Sequence, residues 1–76
     1  MIFEKLVKIF ERVMPQVNTK DIAMESVLTS DLGVDSLNML LLAITVEEEF
    51  GIRFEQDAKF ETVKDICDYV ELKAAA

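Results

Sequence analysis

Along residues 2–14, Phe3, Leu6, Val7, Phe10, Val13 and Met14 recur at intervals of three and four, with Glu4, Lys5, Lys8, Glu11 and Arg12 between them. That spacing predicts an amphipathic helix with one buried face. Pro15 lacks an amide hydrogen and disfavours helical geometry in the residue before it, so the helix should end at Met14. From Gln16 to Val34 no period is sustained: Val17, Ile22, Met24, Val27, Leu28 and Leu32 are scattered among Asn, Asp, Ser, Thr and Gly. This reads as a long connection with one short helical turn. Loops longer than roughly 12–15 residues are mostly functional or disordered, and the apolar residues here predict order.

A second helix begins at Asp35 or Ser36, either of whose side chains can accept a hydrogen bond from a free amide of the first turn. It runs to Phe50, and Gly51 is placed to stop it. Ile52 and Phe54 then alternate with Arg53 and Glu55 and lead to a short turn around Asp57 to Phe60. The last helix starts near Thr62, where Thr62-Val63-Lys64-Asp65 resembles a weak capping box. It buries Val63, Ile66, Cys67 and Val70, and Ala74 to Ala76 form a fraying end. No segment carries the strand and turn signals of a sheet. The expected fold is all-α, a small bundle of three main helices plus one short one, with a long loop between the first two and residues 1–76 forming a single domain.

The second helix is apolar on two sides. With Leu37 set to zero and about 100° per residue, Met39, Leu42, Ala43, Val46 and Phe50 fall between about 140° and 240°, enough to face a core. Leu40, Leu41 and Ile44 fall within about 60° of Leu37, on the opposite side. Either the long loop folds over part of this second stripe, or the stripe is a contact surface for something else. Each large side chain removed from water there contributes roughly 1.5–3 kcal/mol, so four of them make a usable hot spot.

Composition narrows the functions. In 76 residues nearly every apolar side chain is needed for cohesion, which argues against a deep active site and a self-sufficient enzyme. The chain has no histidine and one cysteine, so it has no imidazole base, no Cys/His zinc site and no internal disulfide. Cys67, on an apolar stripe, reads as a buried structural thiol. Asp31, Gly33 and Asp35 do not meet the spacing of a calcium loop, and no metal is expected. Of the net charge of −7, residues 35–76 supply −6, with ten acids against four bases. Such a surface is a poor nucleic-acid ligand and a plausible partner for a basic protein surface. No run approaches the roughly 18 apolar residues of a membrane span, and the start of the chain lacks a signal-peptide core, so a cytoplasmic protein is expected.

Asp31-Leu32-Gly33-Val34-Asp35-Ser36-Leu37 lies where the loop meets the second helix. Ser36 is predicted to be exposed beside free amides that favour an attached phosphate by roughly 0.3–1 kcal/mol. It has no base to activate it, and Asp-Ser before an apolar run is, taken alone, a helix cap. Its context is broader: the LGVDSL motif, the apolar-studded loop before it, Glu47-Glu48-Glu49-Phe50, the Ile52 and Phe54 pair, and Thr62-Val63. Together these resemble the acyl carrier proteins, in register over essentially the whole chain.

The resemblance implies that Ser36 is the attachment point of 4′-phosphopantetheine, added from coenzyme A by a phosphopantetheinyl transferase. Acyl intermediates are then carried as thioesters on the arm's thiol, in fatty acid, lipid or polyketide-type synthesis or a specialised pathway. It also implies that Asp35 supports modification, that Leu37 is touched by partner enzymes, and that the chain is a non-catalytic monomer presenting cargo to loading, elongating or transferring enzymes. In such proteins the acyl chain can withdraw between the helices. One departure stands out: the family commonly places acids along the second helix, whereas Leu37 to Val46 contains none, and Asn38 and Leu41 occupy such positions. Docking is therefore expected to rest on Leu37, Leu40, Leu41 and Ile44 more than on Glu47 and Glu48. A peptidyl or aminoacyl carrier, and an unmodified helical interaction module with Ser36 as a cap, are the alternatives.

Overall fold

The structure, a computed structural model, describes residues 2–55 and 59–74. Three helices form where the pattern places them: α1 over Ile2–Val13, α2 over Ser36–Phe50 and α3 over Val63–Ala74. A single 3-10 turn at Thr19–Asp21 is the short helix of the connection. Of the turn expected around Asp57 to Phe60, Asp57 and Ala58 lie outside the described residues, as do Ala75 and Ala76.

α1 packs against both α2 and α3. Its buried residues are Leu6, Ile9 and Phe10, with Met14 following beyond the helix end, while Phe3, Val7 and Val13 are only partly covered. The buried face is thus broader than the predicted stripe and includes Ile9, because a helix held between two others needs apolar surface towards each. The core is completed by Leu42 and Val46 from α2, Val63, Ile66, Cys67 and Val70 from α3, and Ile22, Leu28, Leu32 and Val34 from the long connection.

That connection is ordered by hydrogen bonds to itself and to the start of α3. The Val27 amide donates to Asp31 Oδ2 at 2.7 Å, and the Ala23 amide donates to the nearly buried Ser26 Oγ at 2.9 Å. Across the fold, Leu28 N–H donates to Glu61 O, Val63 N–H to Ser26 O and Lys64 N–H to Met24 O, at 2.8–3.1 Å. The last two satisfy amides in the first turn of α3 that have no intrahelical partner. An isolated antiparallel bridge between Val27 and Thr62 belongs to the same seam, and the described residues contain no strand.

The capping box at α3 forms. The Asp65 amide donates to Thr62 Oγ1 at 3.3 Å, and Asp65 Oδ2 accepts from the amides of Thr62 and Glu61 at 3.0 and 2.9 Å. Those two backbone donors hold the Asp65 carboxyl below its ordinary pKa range. α2 ends at Gly51, whose φ of 65° is open to glycine at little cost, with the Gly51 and Ile52 amides both turned back onto Glu47 O.

Candidate functional site at the head of the second helix

The beginning of α2 assigns distinct jobs to the two residues that compete for its cap. Asp35 has extended backbone geometry, and its Oδ1 accepts the Asn38 amide at 2.8 Å, while its carbonyl accepts the Met39 amide at 2.8 Å. Asp35 is the N-cap. Ser36 is the first helical residue, is exposed, and its hydroxyl makes no hydrogen bond among the described residues. Ahead of it, Gly33 takes a φ of 70°, where a side chain is strained, and Val34 turns into the core with its amide on Leu28 O at 2.9 Å. The buried Leu32 and Val34 therefore anchor the loop immediately before the exposed Asp35 and Ser36.

The second apolar stripe stays in solvent. Leu37 is 65% exposed, Leu40 56%, and Leu41 and Ile44 44% each. The connection does not fold over it, because Leu28, Leu32 and Val34 point into the core. A groove of about 410 Å³ runs from Ser36 along α2, walled by Leu40, Ile44, Phe54 and Phe60. Behind it, Met39, Leu42, Val46, Ile66, Phe54 and Phe60 enclose a wholly apolar void of only about 10 Å³. A space that size barely equals one water, so the interior is closed to a carbon chain in this form.

Glu47 and Glu48 occupy different settings. Glu48 is exposed, whereas Glu47 is half-buried and its Oε2 accepts the Phe54 amide at 2.7 Å, tying the segment after α2 to the helix. The same segment is held from α3 by Tyr69, a residue with no prominent sequence signal. Its hydroxyl accepts the Glu55 amide at 3.1 Å and donates to Arg53 O at 3.4 Å. The Phe54, Phe60 and Tyr69 rings pack edge to face or tilted, with centroids 5.1–5.4 Å apart.

Cys67 is buried, and that burial pushes its thiol pKa up, with the Asp68 and Glu71 carboxylates adding to the effect. Among the described residues no group of three or more His, Cys, Asp or Glu side chains is disposed to hold a metal ion. No described helix is long and apolar enough to cross a membrane.

Residues 4–70 match the model of the family described as the phosphopantetheine attachment site. A small helical bundle with that match over most of its length is a phosphopantetheine-dependent carrier domain. The chain is 42% identical to an acyl carrier protein of Coprothermobacter proteolyticus, over 92% of this chain and 87% of the relative. It is 34% identical to one of Phytoplasma mali, over 93% and 86%, and 39% identical to one of Acidothermus cellulolyticus, over 71% and 67%. The chain belongs to the acyl carrier protein family, whose cofactor is phosphopantetheine.

Proposed function

We propose that Ser36 is the residue that bears 4′-phosphopantetheine and that the chain is a non-catalytic carrier of acyl groups. The observation that carries this reading is the division of labour at the head of α2: with Asp35 capping the helix, the Ser36 hydroxyl is exposed and unbonded within the span matched to the attachment family. When bound, the group supplies a terminal thiol that holds an acyl chain as a thioester.

The residues around Ser36 fit such a group. With the Asn38 and Met39 amides taken by Asp35, the Ser36 and Leu37 amides are the ones left to favour the phosphate, an effect of roughly 0.3–1 kcal/mol. The adjoining groove gives an arm an apolar wall to lie against, formed by Leu40, Ile44, Phe54 and Phe60. Asp35 fixes the helix start against which a transferase reads the serine. Leu37, Leu40, Leu41 and Ile44 form the face that partner enzymes cover, with Glu48 at its far end and Glu47 contributing chiefly through its hold on Phe54.

A carrier works with partner enzymes, here a phosphopantetheinyl transferase and enzymes that load, elongate or transfer the acyl group. The relatives' shared name supports acyl over aminoacyl cargo, and fatty acid, lipid or polyketide-type synthesis is the setting we propose for it. Incubation with coenzyme A and a transferase of broad specificity should raise the intact mass by one phosphopantetheine, and Ser36→Ala should abolish the gain. An unchanged wild-type mass, or a gain that survives the substitution, rules the assignment out.

A further inference from the structure

The solvent face of α1 sorts its charges by sign. With Leu6 at zero and about 100° per residue, Lys5, Lys8 and Arg12 fall at about 200–260°, and Glu4 and Glu11 at about 140–160°. The three exposed cations gather around a groove of about 180 Å³ between α1 and the end of α2, with Ile9 below them and Glu49 on the opposite wall. None forms an ion pair among the described residues. The Lys5 ammonium lies 5.8 Å from the Phe50 ring centroid, which fixes its place at one end of the row. Without these three the chain would carry −10, since they supply +3 of a total of −7.

We propose that this groove docks a segment of a different protein that presents a cluster of carboxylates. The surroundings select that class of partner. A nucleic acid extends its charge well beyond three cations and would meet the net negative remainder of the surface. A lipid surface is held only weakly by three cations unless apolar side chains insert beside them, and among the described residues the large exposed apolar ones are Leu37, Leu40, Leu41, Ile44 and Leu72, none of them on α1. A short acidic segment satisfies the local field without spanning the repulsive remainder. Glu49 lies thirteen positions beyond Ser36, about 20 Å along α2, so a partner seated here leaves the serine end open.

The test is a titration of the isotope-labelled, unmodified protein with a synthetic helical peptide bearing glutamates along one face, followed by amide chemical shifts at low salt. Shifts confined to residues 5–12 and the neighbourhood of Glu49 are expected, with affinity falling steeply as salt rises. The variant K5Q/K8Q/R12Q should weaken binding by about tenfold or more. Glu49→Gln, which removes a competing carboxylate and leaves α1 untouched, should strengthen it. Absent or scattered shifts, or affinities indifferent to Glu49→Gln, would overturn the proposal. So would equal binding to phosphatidylglycerol vesicles or to duplex DNA, or self-association of the protein through the same residues.

Discussion

Asp35 caps the second helix and thereby leaves Ser36 free: the aspartate Oδ1 takes the Asn38 amide at 2.8 Å, and the neighbouring hydroxyl bonds to nothing among the described residues. Stability and modification should accordingly separate at adjacent positions. Asp35→Ala should cost about 0.5–2 kcal/mol, as loss of a helix cap does. Ser36→Ala should stay within about 0.5 kcal/mol of wild type, as changes at an exposed, unbonded side chain do. Denaturant unfolding of the two variants checks both.

Leu41 and Leu42 are neighbours in sequence with opposite fates, 44% and 1% exposed. Leu42→Ala should destabilise the fold by about 2–5 kcal/mol by leaving a cavity. Leu41→Ala should cost much less than that, yet slow arm loading by a transferase or weaken the complex with a cognate enzyme by about 1 kcal/mol or more, as truncation of an interface hot spot does. Unfolding curves and loading rates on the same two proteins give the comparison. Loading that falls steeply with salt but ignores Leu41→Ala would show that charge, not the apolar stripe, directs docking.

The Asp65 capping box predicts a defined acid response. Because backbone donors lower the folded carboxyl's pKa from its ordinary 3.8, its stabilisation is fully present above that value and is lost as pH falls through the lower folded value. Asp65→Asn should therefore be less stable than wild type near neutrality, with the gap closing below about pH 4. Unfolding midpoints for the two proteins across acid pH measure the gap.

Much of this was legible in the sequence. The start of α2 at Asp35 or Ser36 and its stop at Gly51 could be read because capping and a left-handed stop act within a few residues of chain, and the twin stripes of α2 follow from its 3.6-residue period. Ile9 was not, since the width of α1's buried face depends on how many helices flank it. Leu28 against Glu61, Ser26 against Val63 and Met24 against Lys64 are long-range pairings between irregular segments, for which the chain carries no periodic signal. For Ser36, local chemistry alone favoured a cap; the family pattern raised the attachment reading, and in the structure the cap is Asp35.

Tyr69 and Glu47 hold consecutive amides of the segment after α2 from different helices. Tyr69→Phe removes the acceptor for the Glu55 amide and should cost about 0.5–1.5 kcal/mol. Hydrogen exchange should accelerate at Glu55, with the Phe54 amide, still bound by Glu47, changing less. Glu47→Ala should reverse that order. Exchange rates read at both amides in both variants distinguish two independent ties from one.

The assignment of the prosthetic group to Ser36 is tested most directly by peptide mapping of the protein purified from its native host. Fragmentation should place one phosphopantetheine on the peptide containing Ser36, with Ser26 and Ser30 unmodified. A mass carried on either of those serines, or a chain bearing no such group under conditions where its partner enzymes are active, would contradict the account.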